Sequence, residues 1–259
     1  MNVLTRTAST LLIVGVTLTG CGVGEAVEET VAQVSAATTL ADGVPTAETP
    51  AFHYAIKGGL QPLSGVLDAP RKALTTEAVE KIPDTSITLS MKFLVIDDQA
   101  WTKIAFKGAG ADSGLPKLPK KWMKLDQKKL SADSGEDFTY QGETDPGYVS
   151  DLLRAAADLK ETGEGAYAGT TDLTQSTEAE IVEADTLAAL GEKAKAVPLE
   201  MALDAEGRIT RALVRIPAAG KAGAATYEVV YDQYGTAAVP AAPADGVAAP
   251  ADVYDMLNG

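Results

Sequence analysis

One cysteine and one histidine are the chain's whole supply of two side chains that often act as nucleophile, general base or zinc ligand. A Ser-His-acid triad would have to use His53, and no serine stands where a nucleophile elbow would place it. One histidine and one cysteine are also too few for a zinc site. Acidic side chains are abundant, yet their spacing selects no pair for acid–base catalysis. The sequence predicts a protein that is not an enzyme, without metal or cofactor, in which His53 lies on a strand surface or in a hydrogen bond.

The cysteine, Cys21, follows an uncharged apolar run at residues 8–18, and Arg6 precedes that run. A positive start, a short apolar core and small residues before the cut are the pattern of a secretory signal peptide. The run is too short to span a bilayer comfortably. With cysteine at the cut, residues 18–21 (Leu-Thr-Gly-Cys) resemble the bacterial lipobox. This resemblance implies that residues 1–20 are removed and that a lipid on Cys21 holds the protein at the outer face of the cell membrane. The alternative is a core cysteine near an ordinary N-terminus.

Charge and composition narrow the classes of partner. The chain carries 36 acidic and 22 basic side chains, a net charge of −14, and such a surface repels nucleic acid. If Cys21 carries lipid, no thiol is left for a disulfide or a redox site. Residues 21–49 hold Pro45 and no aromatic side chain. They predict a flexible membrane tether with a reach of about 30 Å, within which residues 25–41 could form a frayed helix that nothing obliges to pack.

From Phe52 onward, apolar and polar residues alternate, which is typical of strands with one buried and one wet face. Strands are predicted at 52–56, 84–96, 101–106, 121–125, 197–203, 209–216 and 227–231. Turn signals separate consecutive strands, for example Asp97-Asp98 and the hairpin turn at 204–207. Strands joined in this way form an antiparallel meander.

Two amphipathic helices are predicted to interrupt the strands. The first starts at an Asp145 cap and ends at Gly163. The second starts at Thr177, with Glu180 completing a capping box, and ends at Gly191. The predicted fold class is therefore α+β, a large antiparallel sheet curved into a half-open barrel with a few helices covering its concave apolar face.

So few helices cannot cover such a sheet, so part of its apolar face is predicted either to be plugged by loops or to form a pocket. The candidate lipid-cavity residues are apolar positions of two predicted strands: Ile87, Leu89, Met91, Phe93, Val197, Leu199, Met201 and Leu203. The same side chains could instead fill a packed core. An acyl chain of about fourteen methylenes would gain roughly 0.8 kcal/mol for each methylene buried. Apolar walls alone would therefore suffice to hold it.

The chain resembles a known lipoprotein family in several phrases that occur in the family's order. Residues 100–104 (Ala-Trp-Thr-Lys-Ile) follow a hairpin turn, residues 167–174 look like the family's central strand, and residues 197–208 look like its late hairpin. Pro240 and Pro243 match a proline-bearing tail. Together with an acylated cysteine, a tether and a meander that is apolar on one face, these phrases resemble the actinobacterial LppX/LprG lipoproteins, which are related in fold to LolA and LolB.

This resemblance covers residues 52–257 and implies one LolA-like lipid-binding domain at 50–259. The family fold is a half-open antiparallel barrel with helices closing its mouth and an apolar cavity that holds acyl chains. Family members carry lipids or lipoglycans across the envelope. Residues 108–135 are an insertion that the family pattern does not place.

A basic cluster between residues 117 and 129 is out of character with this acidic chain. It consists of Lys117, Lys120, Lys121, Lys124, Lys128 and Lys129. One interpretation is a solvated rim on an edge strand, where lysines block pairing with another sheet. The other is a membrane-facing basic lip formed by Lys120, Lys121, Trp122 and Lys124, which would touch anionic headgroups.

These patterns predict a membrane-anchored extracytoplasmic lipoprotein that binds the acyl chain of a lipid or lipoglycan in an apolar cavity and carries it within the cell envelope. The alternative is a lipid-anchored interaction module whose closed core leaves no cavity and which recruits a protein partner. A pocket of several hundred Å³ would favour the carrier. A filled core would favour the module.

Overall fold

A computed structural model describes residues 23–110, 113–131, 138–176, 179 and 181–258, with the backbone alone at residues 23–32. Cys21 and the predicted signal peptide lie outside the described residues, as do Thr177 and Glu180. The helices are α1 (Val23–Asp42), α2 (Val149–Arg154), α3 (Ala184–Leu190) and α4 (Ala251–Leu257). The strands are β1 (Phe52–Lys57), β2 (Leu63–Asp68), β3 (Ala73–Lys81), β4 (Thr88–Ile96), β5 (Gln99–Lys107), β6 (Met123–Lys124), β7 (Ala156–Gly163), β8 (Ala166–Thr171), β9 (Val197–Leu203), β10 (Ile209–Ile216), β11 (Ala225–Asp232) and β12 (Val247–Ala248).

All twelve strands belong to one sheet in the order β12-β6-β5-β4-β3-β2-β1-β11-β10-β9-β8-β7. Neighbouring strands pair antiparallel, except that β12 pairs parallel to β6 through Val247 and Ala248. Because β12 and β7 stand at opposite ends of this order, the sheet is not closed. The predicted α+β class with a large, mostly antiparallel sheet and few helices is confirmed.

Alternation located the strands that bury one face. The predictions at 197–203 and 209–216 coincide with β9 and β10, and the prediction at 84–96 contains β4. The hairpin turn between β9 and β10 has Gly207 at φ 78°, a backbone conformation that glycine adopts without strain. Strands β2 and β3 were not predicted, because most of their side chains on both faces are half-buried and the polar alternation is weak.

The first predicted helix is wrong over most of its length. Helix α2 ends at Arg154, and the chain from Ala156 onward is strand β7, which pairs with β8. Backbone pairing with β8 and the burial of Leu159 outweigh the local helical pattern there. The second helix begins later than predicted, at Ala184, and ends at the predicted Gly191.

The segment expected to be a flexible tether differs from a coil. Residues 23–42 form α1, and its side chains Ala36 and Leu40 are buried in a hydrophobic cluster. Residues four apart share a helix face, so these two side chains reach the sheet together. The junction after α1 is also tight, because the Ile209 N–H donates to the Gly43 carbonyl at 2.9 Å. This part of the chain is therefore a packed helix in the structure, and the assignment of residues 21–49 as a membrane tether stays a prediction.

Two hydrophobic clusters pack against the sheet. The first cluster joins α1, α2 and α3 to strands β1 and β7–β11, and the second joins α4 to strands β4–β6. The ring of Tyr140, in the segment before α2, packs against both clusters. No helix in the described ranges combines the length and the apolar character that a membrane span requires.

Candidate functional site

Strand register defines one apolar row that crosses nine strands on a single face of the sheet. Residues directly opposite each other in neighbouring strands share a face. The row consists of Ile104, Met91, Ala78, Leu63, Ile56, Val229, Ala212, Met201 and Tyr167. Met91 and Met201, which come from the two predicted cavity strands, therefore lie on the same face of the sheet.

Burial along this row is uneven. Ile104 is 3 % exposed at one end, and from Ile56 through Met201 the exposure does not exceed 6 %. Between these closed stretches, Leu63, Ala78 and Met91 are half-buried. We call these three positions the furrow. The furrow is therefore the apolar stretch of this row that the surrounding side chains leave incompletely covered.

The eight candidate cavity residues fall into two environments. Val197, Leu199 and Met201 on β9 are fully packed in the first cluster, and Leu203 packs at its margin. On β4, the side chains are half-buried at the edge of the second cluster: Leu89, Met91 and Phe93. Ile87 is half-buried just before β4 begins. The packed β9 side chains therefore form core, whereas on β4 Met91 belongs to the furrow and Leu89 and Phe93 lie on either side of it.

A strap formed by residues 138–148 crosses the sheet beside the furrow. The Phe138 ring packs on Phe93 at 5.2 Å between ring centroids. The Tyr140 N–H donates to the Asp97 carbonyl at 2.9 Å, and the Tyr140 hydroxyl donates to the Glu143 carbonyl. Burial and the nearby Glu143 carboxylate raise the pKa of Tyr140, so its hydroxyl keeps the proton that it donates.

The far end of the strap is clamped to β11. The buried Tyr231 hydroxyl donates to the Asp145 carboxylate and accepts from the Gly147 N–H at 2.7 Å. The Tyr227 hydroxyl donates to the Gly147 carbonyl at 3.1 Å. Burial raises the pKa of Tyr231 well above its usual range, as does the adjacent Asp145 charge. Both tyrosines therefore stay protonated and act as hydrogen-bond donors that fix the strap.

The polar floor beside the furrow is closed. Tyr54 is buried, and its hydroxyl lies 2.9 Å from the Thr75 carbonyl and 2.8 Å from Thr76 Oγ1. A Cβ at Gly65 would stand 1.8 Å from the Thr75 carbonyl oxygen and 2.8 Å from the Tyr54 hydroxyl, so only glycine fits there. Burial raises the pKa of Tyr54 to about 12, with Thr76 opposing the shift through its hydrogen bond.

Small apolar cavities continue the furrow at the end of the sheet where β1 stops and β2 begins. One of about 120 Å³ is lined by Leu63, Ile56 and Leu60 among others. A second of about 250 Å³ shares Leu60 and extends to Leu173 and Leu187. Neither cavity is lined by any of the eight candidate residues, so the sequence prediction missed these openings.

The four residues of the predicted basic lip do not form one free surface. Lys121 Nζ lies 3.3 Å from the Asp245 carboxylate. Lys124 Nζ donates to Gln99 Oε1 at 2.8 Å, and the Trp122 ring lies under Lys103 Nζ at 5.5 Å. Lys120 is exposed at a different cavity from the one that Lys124 lines. The cluster is therefore divided between two sides of β6.

His53 lies on the face of β1 opposite the apolar row, and its Nδ1 is 2.8 Å from the Asp232 carboxylate. The prediction of a hydrogen-bonded strand histidine is confirmed. Across the described ranges, no three histidine, cysteine or acidic side chains are grouped as metal ligands would be. No known protein-family model matches the chain, and a search among curated proteins finds no similar sequence. Membership of the LppX/LprG family therefore stays a prediction.

Proposed function

We propose that this protein is a membrane-anchored extracytoplasmic lipoprotein that binds the acyl chain of a lipid or lipoglycan along the furrow and carries it within the cell envelope. The observation that supports this most is the interruption of burial at Leu63, Ala78 and Met91 between two closed clusters. Covering apolar surface yields about 25 cal/mol for each Å² removed from water. A bound acyl chain would complete the burial that the side chains of the row leave unfinished.

The proposal includes the finer part of the fold prediction, a half-open barrel of the LolA kind. The open strand order supports it, because β12 and β7 are not paired with each other.

The anchoring proposal concerns Cys21. A diacylated cysteine carries two chains, which is enough for stable membrane attachment. We expect Cys21→Ser to release the protein from membranes or to leave it unprocessed. If the serine variant is processed and still sediments with membranes, the lipobox assignment fails.

The lipid-binding proposal is tested by filling the furrow. Ala78→Trp places a large ring at its centre, and Val79→Trp on the opposite face is a matched control because Val79 is 56 % exposed. With a fluorescent eighteen-carbon fatty acid as the probe, we expect the parent and the control to bind and Ala78→Trp to bind about tenfold more weakly. Equal binding by all three proteins would contradict the proposal that the furrow is the acyl-binding site.

The interaction module is the second candidate function, favoured by the full burial of Val197, Leu199 and Met201. A closed core at β9 leaves no cavity between the two predicted strands. If lipids extracted from the purified protein show no acyl compound by mass spectrometry, and the fatty-acid probe also fails to bind, this candidate replaces the carrier.

A further inference from the structure

Strand β5 has a long unpaired edge. Its partner β6 pairs only with Trp101 and Thr102, although β5 continues to Lys107. The chain before β6 is drawn toward β12, since the Trp122 carbonyl accepts from the Val247 N–H at 2.9 Å. Pro119 also lacks the N–H that a continued ladder would need. The outer edge of residues 103–107 therefore has no neighbouring strand in the described part of the chain.

The backbone groups on this edge belong to alternate residues. The Ala100 carbonyl accepts from the Leu125 N–H on the β6 side. Because backbone groups alternate in direction along a strand, Ile104 and Phe106 turn their N–H and C=O groups to the same side. Within the described ranges, no backbone hydrogen bond joins them to residues 113–120.

A cavity of about 450 Å³ separates this edge from the neighbouring loop. Its strand side carries Ile104 and Phe106. Its loop side carries four apolar residues, Leu115, Pro116, Leu118 and Pro119, together with Ser113, Lys117 and Lys120. An unpaired edge of this kind is a template for another extended chain, although Ile104, at 3 % exposure, is covered in this structure. The cavity supplies the space that such a chain would need beside β5.

The charges on this edge are unbalanced. Lys103 lies directly opposite Lys92, and like charges in that position repel each other. Lys92 is paired with Glu77 at 2.6 Å, whereas Lys103 faces the Trp122 ring and no carboxylate of the described residues pairs with it. Lys117 and Lys120 add two more exposed ammonium groups at the rim. An anionic partner would neutralise this local positive charge.

We infer that the β5 edge from Lys103 to Lys107 docks an extended acidic segment of a partner protein by β-strand addition. The added strand would hydrogen-bond to the free groups of Ile104 and Phe106. On one face of the added strand, carboxylate side chains would lie near Lys103. On its other face, apolar side chains would occupy the cavity. This interaction is separate from acyl binding in the furrow and does not depend on it.

The test uses a fluorescein-labelled peptide of alternating glutamate and valine, with binding followed by fluorescence anisotropy. Lys103→Glu should weaken its binding about tenfold or more, because truncating or reversing a charge at a docked pair costs that much. Lys193→Glu, an exposed lysine on the turn after α3, is the matched control and should bind like the parent.

Two peptides methylated on alternate backbone nitrogens separate strand addition from general charge attraction. A strand that adds to an edge uses only one alternate set of its N–H groups, so one methylated peptide should lose binding and the other should keep it. Equal binding of both would overturn the inference. Lysine-dependent binding of phosphatidylglycerol vesicles without any peptide binding would also overturn it, and would assign the lysines to a lipid surface.

Discussion

The two hydrophobic clusters cover the same face of one sheet but close it to different degrees. In the first cluster, Met201, Ala212 and Val229 are at most 3 % exposed, beneath α1, α2 and α3. In the second, Leu89, Met91 and Phe93 on β4 remain half-buried under α4 and a loop that contains prolines, and only Val95 of that strand face is closed. The difference teaches that the three helices over the first cluster seal the sheet more completely than the single helix over the second. Where loops replace them, apolar surface and a strand edge stay available for ligands.

The largest effect should come from truncating one side chain in each half. Leu199 is 1 % exposed, so Leu199→Ala leaves a cavity in a packed core. We expect this substitution to lower the free energy of unfolding by about 2–5 kcal/mol. Met91→Ala should lower the free energy of unfolding by about 1 kcal/mol or less, since the Met91 side chain is half-buried and already contacts solvent. Urea unfolding of the two variants checks this. Equal losses would mean that the two halves are equally packed and would contradict the difference in burial described above.

A smaller effect should follow from loosening the strap that divides the halves. Tyr231→Phe removes the hydroxyl that links Asp145 to the Gly147 N–H, and leaving buried groups unpaired costs about 1–3 kcal/mol. The rate of backbone amide hydrogen exchange at residues 145–150 should increase in Tyr231→Phe. Tyr227→Phe is the control, because it removes one hydrogen bond to the Gly147 carbonyl and should perturb the strap less. Unchanged exchange in Tyr231→Phe would show that the strap is held by packing alone.

The smallest effect concerns the outer face of the first half. The hydrogen bond from Arg211 holds the pKa of Glu228 below its ordinary value of 4.5. Its stabilising contribution is therefore present above pH 4.5 and is lost as the pH falls through the lowered folded-state pKa. Arg211→Gln should lower stability at pH 7 by less than about 1 kcal/mol, since the pair is partly exposed. Unfolding curves at neutral and acid pH should differ less for the variant than for the parent. An equal or larger difference would contradict the pairing.

Sequence alternation predicted the bounds of β9 and β10, because each buries one face and, apart from the buried Leu213, leaves the other partly or fully exposed. It failed at β7, where a helical stripe of apolar residues gives way to pairing with β8. The furrow could not be predicted, because it depends on Leu63 and Ala78 lying opposite each other and beside Met91. That register, and the cover that α1 supplies through Leu40, arise from contacts between distant parts of the chain.

The parallel pairing of β12 with β6 has a consequence for the order in which the protein is completed. Asp126 N–H donates to the Tyr254 hydroxyl, and Ser131 N–H donates to Asn258 Oδ1 across 127 positions of sequence. At synthesis rates of about 5–20 residues per second, roughly ten seconds separate the two partners. During that interval β6 has no outer neighbour, so the sheet ends in an edge that only the last residues of the chain can cover.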